Sequence, residues 1–227
     1  EFKEDYSFPA IVSVLTWASR MGVVKHESEK TNPNVPVMGV DENYLYTSGF
    51  DIKTGRNFSE EDVRNNRNFA VIGSELAENL FKGFENPLDK IITVGNGRYK
   101  IIGVLKEKGS SMGMASDKIC LLPYTNVRQY FPWPRRRYSV NVSVETPALM
   151  EVAMGEAEGT FRIVRNLTAS DESDFNITGS DNLINILLEN IQKINFAAII
   201  IGIITLFGAI VGLMNIMLVS VTERTRE

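Results

Sequence analysis

The longest apolar stretch of the chain lies towards its C-terminal end. Residues 196–221 read FAAIIIGIITLFGAIVGLMNIMLVSV, which is 26 residues without a charge, and fifteen of them are Ile, Leu, Val or Phe. About 20 such residues cross a hydrocarbon core of about 30 Å, and each of these side chains favours insertion by about 0.3–0.6 kcal/mol. The pattern predicts a transmembrane helix. The alternative is the buried helix of a soluble core, which seldom runs this long without a charge.

A helical pattern of another kind precedes this span. Residues 181–195 read DNLINILLENIQKIN, with apolar side chains in steps of three, four and three. These apolar positions are Ile184, Leu187, Ile191 and Ile194. The spacing predicts a narrow seam that packs against one neighbouring helix. Gly179 and Ser180 supply a stop and an N-cap, and no Pro or Gly follows until Gly202. We therefore expect one unbroken helix from Ser180 through the membrane, a rigid stalk that carries motion.

The span itself contains small and polar residues. Gly208 and Gly212 are four positions apart, a spacing that lets a second helix approach closely inside lipid. Two interpretations stay open, helix packing in the membrane and no specific role, because glycine is common in such helices. Asn215, near one end of the span, either forms a hydrogen bond to another helix or lies at the membrane interface.

The first 180 residues show shorter and more varied patterns. Strands are predicted at residues 9–16, 35–40, 69–72, 91–94, 99–105, 118–122, 138–145 and 174–178, with a sheet edge near 21–30. Helices are predicted at residues 41–48, 74–82, 124–130 and 147–165, with a further helix start at Ser59 and an N-cap at Ser74. The elements interleave without a strict βαβ repeat. The expected fold class is therefore α+β, a two-subdomain mixed α/β domain followed by the long stalk and transmembrane helix.

Charge and composition exclude several function classes. The 227 residues carry 24 Lys plus Arg against 28 Asp plus Glu, whereas a nucleic-acid-binding domain needs a concentrated positive field. The sequence contains no G-x-x-x-x-G-K-[ST] loop, one histidine, His26, and one cysteine, Cys120. The usual zinc sites and Ser-His-Asp triads are therefore excluded. We expect no enzyme, cofactor or metal site, with His26 solvated and Cys120 buried as a small apolar residue.

One basic cluster lies between aromatic residues. Arg135, Arg136 and Arg137 stand between Trp133 and Tyr138. Arginines beside aromatic rings bind phosphate groups, lipid headgroups or acidic protein partners. The alternative is a solvated loop without a partner.

The last sixteen residues carry the most specific pattern. Residues 212–227 read GLMNIMLVSVTERTRE, which closely resembles the permeases of macrolide-exporter (MacB-type) ABC transporters, within the wider FtsX-like group. Further similarities to the periplasmic core of that family follow in order along the chain. They are Gly39-Val40, Gly55-Arg56-Asn57-Phe58 with Glu61-Asp62, Val71-Ile72-Gly73, Leu80-Phe81, Ile102-Gly103-Val104, and Asp117 leading to Leu122-Pro123. Residues 206–212 are less glycine-rich than the commonest form in that family.

The resemblance implies a location and a division into parts. It implies a permease of four transmembrane helices in the bacterial inner membrane, in which this chain is the periplasmic domain between the first two helices plus the second helix. The implied parts are a membrane-proximal subdomain (1–48 and 137–180), an inserted β-rich subdomain (49–136), the stalk (181–195), the transmembrane helix (196–221) and the start of a cytoplasmic segment (222–227).

The resemblance also implies partners. These are membrane lipid, a second copy of the permease in a homodimer, an ABC ATPase on missing sequence or on a separate chain, a periplasmic adaptor and an outer-membrane channel. ATP-driven closure in the cytoplasm would move the stalks and push cargo outward. Two alternatives remain open at this stage: a lipoprotein-release or cell-division permease of the same architecture, and a single-helix membrane-anchored sensor or binding module.

Overall fold

Runs of Val, Ile and Leu place the strands of the chain in one mixed sheet. In the computed structural model, which describes residues 1–82, 86–108, 116–168 and 170–225, ten strands join this sheet. They are β1 (Ile11–Gly22), β2 (Val24–His26), β3 (Glu29–Lys30), β4 (Val35–Val40), β5 (Ile52–Gly55), β6 (Phe69–Ile72), β7 (Ile91–Val94), β8 (Gly97–Leu105), β9 (Cys120–Pro123) and β10 (Tyr138–Ser143). Their order is β10-β1-β4-β9-β6-β8-β7-β2-β3, and β5 pairs with β8. Two pairs are parallel, β4 with β9 and β6 with β8.

The helices are short except for two. They are α1 (Phe2–Asp5), α2 (Tyr44–Thr47), α3 (Glu60–Arg64), α4 (Ser74–Phe81), α5 (Tyr124–Tyr130), α6 (Met150–Val164) and α7 (Ser180–Arg224). Single 3₁₀ turns lie at Ser116–Lys118 and Pro147–Leu149. The second turn has proline at its first position, where the missing N–H costs no hydrogen bond. It leads directly into α6.

Apolar residues are buried on both faces of the sheet. Along β6, Ala70 and Ile72 belong to one core cluster and Val71 to the other, as the alternation of side chains in a strand requires. The first cluster includes Leu76, Leu80 and other residues of α4, and the second includes residues of α2 and α3. Burial on both faces explains why the central strands read as continuous apolar runs.

Two compact units divide the chain, Glu1–Asn166 and Leu167–Glu227. The first contains the whole sheet and α1 to α6, and the second contains α7. The proposed split of the soluble part into residues 1–48 with 137–180 and an inserted 49–136 stays a prediction.

The α+β class and most of the predicted elements are confirmed. Strands at 35–40, 69–72 and 91–94 and the helix at 124–130 have the predicted bounds, and β2 and β3 form one edge of the sheet. The hairpin between β7 and β8 turns at Gly95, whose φ of +58° favours glycine.

Three predictions are wrong, and they concern one strand, one helix cap and the burial of one side chain. Residues 174–178 do not form a strand, because no neighbouring strand supplies hydrogen bonds to them within the described sheet. Ser74 is the first residue of α4 and not its cap; Gly73 takes the cap position without a side-chain hydrogen bond. His26 is buried and not solvated, since its Nδ1 lies 2.8 Å from the Ile91 carbonyl oxygen and its ring contacts Phe81.

Candidate ligand-binding groove and membrane helix

A groove lies between residues 17–21 on one side and Trp133 with residues 135–137 on the other. It is open to solvent and has a volume of about 510 Å³. The first segment is the second half of β1, and the other belongs to the loop between α5 and β10. The antiparallel pairing of β1 with β10 brings them together, because it ends with Thr16 opposite Tyr138, and the two segments begin at the next residue of each strand.

The strand side of the groove is irregular. The pairing of β1 with β4 shifts register between Trp17 and Ser19 and again between Ser19 and Gly22. Such bulges increase the local twist and redirect side chains from their regular alternation. Trp17, Arg20 and Met21 therefore all line the groove.

Hydrogen bonds fix the loop side. The Arg136 guanidinium donates through Nη1 to the Trp17 carbonyl oxygen at 3.0 Å and through Nη2 to the Phe131 carbonyl oxygen. The Thr16 hydroxyl donates to the Arg137 carbonyl oxygen at 2.9 Å. Phe131, at the start of the loop, packs against Gly95. A Cβ added at Gly95 would lie only 2.8 Å from the Phe131 ring. These contacts hold the backbone of the loop while other side chains stay free to bind.

The exposed side chains of the groove are basic and apolar. Trp133 is 65% exposed and Met21 is 71% exposed. The Arg20 guanidinium carbon lies 5.1 Å from the centroid of the Trp17 ring, within cation–π distance. Among the residues that the structure describes, Arg20, Arg135 and Arg137 form no ion pair, and no carboxylate lines the groove.

The sequence predicts about half of this groove. Its basic cluster includes Trp133, Arg135, Arg136 and Arg137, whereas no sequence pattern indicates Trp17, Arg20 or Met21. The predicted strand ends at residue 16, but β1 continues to Gly22. The segment WASRMG contains an aromatic and a basic residue, but only the fold places these residues beside residues 133–137.

The C-terminal unit contains the predicted membrane helix. α7 is continuous over 45 residues, and its segment Ile191–Leu218 is long and apolar enough to span a membrane. None of the most apolar part of that segment is buried against protein. The hydroxyl of Thr205 donates to the Ile201 carbonyl oxygen at 2.7 Å, which satisfies this polar group within the helix.

The predicted packing residues all lie on α7. A Cβ added at Gly208 or Gly212 would meet no atom within 4 Å, so both positions are free for a neighbouring helix. Asn215 is exposed, as are Ile191 and Ile194 of the seam. The side chains of Ile184 and Leu187 lie outside the described residues. The packing roles of these residues stay predictions.

The chain resembles known proteins in sequence and in fold. A family model described as "MacB-like periplasmic core domain" matches residues 1–160. A protein of Hahella chejuensis named "Macrolide export ATP-binding/permease protein MacB" is 30% identical over 86% of this chain and 29% of its own length. The protein of the same name from Bradyrhizobium diazoefficiens is 30% identical over 96% of this chain and 32% of its own length.

Among solved structures, the periplasmic region of MacB from Actinobacillus actinomycetemcomitans has the same fold, with a TM-score of 0.65 and 21% identity. The match covers 82% of this chain and 81% of that one. The chain spans about a third of the length of the curated relatives it matches.

Proposed function

This chain belongs to the MacB-like periplasmic core domain family, and on that premise we propose that it is the motion-transmitting part of an ABC-type efflux permease. In this proposal the unit Glu1–Asn166 lies in the periplasm, and α7 crosses the inner membrane. The chain itself catalyses no reaction. ATP is hydrolysed by an ATPase domain or subunit on the cytoplasmic side, in keeping with the "ATP-binding/permease" name of the relatives.

The observation that carries the proposal is the continuity of α7. At 1.5 Å per residue, its 45 residues extend for about 68 Å, more than twice a hydrocarbon core of about 30 Å. The apolar segment begins at Ile191, so about three helical turns precede it. Because no proline or described break interrupts the helix, a displacement of its membrane part is transmitted to its beginning.

The proposed cycle needs two copies and further partners. ATP-driven closure of the ATPases in the cytoplasm brings the transmembrane helices of a homodimer together. The two α7 helices then change the spacing of the periplasmic domains, which push cargo towards a periplasmic adaptor and an outer-membrane channel. Gly208 and Gly212 are available for the helix contact within the membrane.

The test measures motion in the full-length protein with its ATPase. A spin label is attached at Glu158→Cys, an exposed position on α6, in a Cys120→Ser background lacking other cysteines. In lipid nanodiscs we expect the distance between the two labels of a dimer to change when ATP and magnesium are added. The pair Leu188→Pro and Gln192→Pro should abolish this change, since each proline interrupts a helix at a cost of about 3 kcal/mol, while ATP hydrolysis continues.

The matched control is Leu188→Ala with Gln192→Ala, which keeps the helix and should behave as the parent protein. A parent protein that hydrolyses ATP without any change in label distance contradicts the proposal. The same conclusion follows if the proline variant, with its kink verified, moves as the parent does.

A further inference from the structure

We infer that the groove of residues 17–21, Trp133 and residues 135–137 binds an anionic small molecule with a flat apolar body. Where this molecule is taken to be cargo, the inference rests on the function proposed above. The inference comes from three properties of the groove, which are its size, its charge and its aromatic lining.

The size fits a small molecule. Binding sites for small ligands have volumes of about 300–1,000 Å³, and the groove has about 510 Å³. Its walls come from two segments of the same unit, held together by the Arg136 and Thr16 hydrogen bonds. A site with a fixed backbone loses little conformational entropy when it binds, which favours affinity for a compact ligand.

The charge of the groove selects an anion. Four arginines line it and no carboxylate does, within the part of the chain that the structure describes. The whole chain has a net charge of −4, so this local excess runs against the overall balance. Arginine presents several N–H donors in a planar fork that matches the oxygens of carboxylate, sulfonate or phosphate groups. Arg20, Arg135 and Arg137 are exposed and available for such contacts.

The aromatic lining selects a flat apolar body beside the anionic group. Trp17 and Trp133 are the two tryptophans of the chain, and both line the groove. Leaving Trp133 and Met21 mostly exposed costs the favourable free energy of burying them, which a bound apolar surface recovers. A long acidic peptide would pair with the arginines but would extend beyond the two tryptophan rings. A small molecule therefore matches the charge and the aromatic lining of the groove better.

The experiment uses the position of the tryptophans. The full-length protein is labelled with 5-fluorotryptophan and placed in nanodiscs of zwitterionic phosphatidylcholine without ATP. The ¹⁹F resonances of the groove are assigned from Trp17→Phe and Trp133→Phe. The probe is naphthalene-1-sulfonate, and its uncharged comparator is naphthalene-1-sulfonamide. We expect the sulfonate to shift both resonances with saturation and the sulfonamide to bind at least tenfold more weakly.

Charge variants test the arginines. Arg20→Gln, Arg135→Gln and Arg137→Gln together should weaken sulfonate binding at least tenfold. Lys25→Gln, Lys53→Gln and Arg64→Gln remove the same charge from exposed positions away from the groove and should change it less than twofold. Circular dichroism verifies that both triple variants are folded.

Four outcomes would overturn the inference. Equal binding of the sulfonamide would indicate apolar adhesion alone, and equal weakening in both triple variants would indicate net charge alone. Tighter binding of hexaglutamate than of the sulfonate would assign the groove to an acidic protein segment. Saturation of the shifts by phosphatidylglycerol nanodiscs without any probe would assign it to lipid headgroups. ATP is absent throughout the experiment. Failure of the sulfonate to bind would therefore contradict the inference about the groove without bearing on the motion-transmission proposal.

Discussion

Asp62 is a buried carboxylate that organises the surface between β5 and α3. Its side chain is fully buried and accepts hydrogen bonds from Arg56 Nη1 at 2.6 Å, the Ser59 backbone N–H at 3.0 Å and Arg67 Nη1 at 3.2 Å. The Ser59 hydroxyl accepts from the Asp62 N–H in return, which completes a capping box. Burial raises the pKa of Asp62, but the hydrogen bonds from Arg56 and Ser59 outweigh burial and leave this pKa lowered.

The lowered pKa predicts how stability depends on pH. A carboxylate whose pKa is lower in the folded state stabilises the fold above its unfolded pKa of about 3.9, and this contribution is lost as pH falls through the folded value. Asp62→Asn should therefore lower the free energy of unfolding by about 1–3 kcal/mol at pH 7, with the loss shrinking below about pH 4. Urea unfolding of the chain in detergent, followed by the fluorescence of Trp17 and Trp133, measures this difference.

Glu60→Gln on the same helix is the matched control for Asp62. Glu60 is exposed and pairs with Arg64 at 3.5 Å, so its replacement should change the free energy of unfolding by less than about 0.5 kcal/mol. A loss for Asp62→Asn that is as large at pH 3 as at pH 7 would show that shape, and not charge, determines the effect.

For single residues, the sequence predicts a role that depends on neighbours in the chain. It does not predict a role that depends on residues far away in the sequence. The acidic residues after Ser59 predict a helix start there, and Ser59 caps α3. The apolar neighbours of Cys120 predict its burial, and it is fully buried, which raises the pKa of its thiol to about 12. The charged neighbours of His26 in the sequence predict a solvated side chain, which is wrong. Its burial depends on Ile91 and Phe81, more than fifty positions away.

Among the elements, β4 and α5 pack so closely at Gly39 that a side chain there would overlap α5. A Cβ on Gly39 would lie 2.8 Å from Val127 Cγ2 and 2.9 Å from the Tyr124 Cα. Gly39→Ala should therefore destabilise the fold by about 1–3 kcal/mol, the range found for overpacked cores. Thermal unfolding of the chain in detergent, followed by circular dichroism, measures the change.

Gly155, unlike Gly39, has open space where a side chain would lie, and it serves as the control. It lies inside α6 with no atom within 4 Å of an added Cβ. Gly155→Ala should stabilise the fold by about 0.5–1 kcal/mol, because alanine loses less backbone entropy in a helix. If Gly39→Ala and Gly155→Ala changed the stability of the fold in the same direction, close packing of α5 against β4 would not explain why position 39 is a glycine.

The predictions of elements are wrong mainly at the ends of elements and where pairing with another strand decides whether a strand forms. The strand predicted at 9–16 begins at Ile11 and continues to Gly22, because pairing with β4 supports residues that carry no strand pattern of their own. The segment 174–178 contains the apolar or β-branched residues Phe175, Ile177 and Thr178, but it pairs with no strand among those that the structure describes. A strand needs a neighbour, and the sequence of one segment contains no information about where that neighbour lies.

For the whole molecule, the groove and the membrane helix differ in how far the sequence predicts them. The long apolar helix was predictable because membrane insertion depends on a sum over neighbouring residues, which composition alone supplies. The groove was only half predictable, because residues 17–21 and 133–137 are separated by more than a hundred positions and meet through the β1–β10 register. Local patterns therefore identify elements, whereas surfaces built from several elements require the fold.

The open glycine positions of α7 allow a prediction about assembly. If Gly208 and Gly212 mediate close contact between two helices, then Gly208→Leu and Gly212→Leu should weaken self-association of the full-length protein in phosphatidylcholine vesicles by about tenfold, or ~1.4 kcal/mol. Energy transfer between donor-labelled and acceptor-labelled copies measures this association. The helix should still insert, because leucine favours the bilayer at least as strongly as glycine.

Gly202→Leu separates helix contact from the general effect of a larger side chain. At about 100° per residue, position 202 is turned by about 80–120° from positions 208 and 212 around the helix. All three glycines have open space around them, so the substitutions are equivalent in size and local surroundings. Weakening at 208 and 212 with no change at 202 identifies one face of α7 as the contact. Equal weakening at all three would assign the contact to bilayer fit and remove the role of the four-residue spacing.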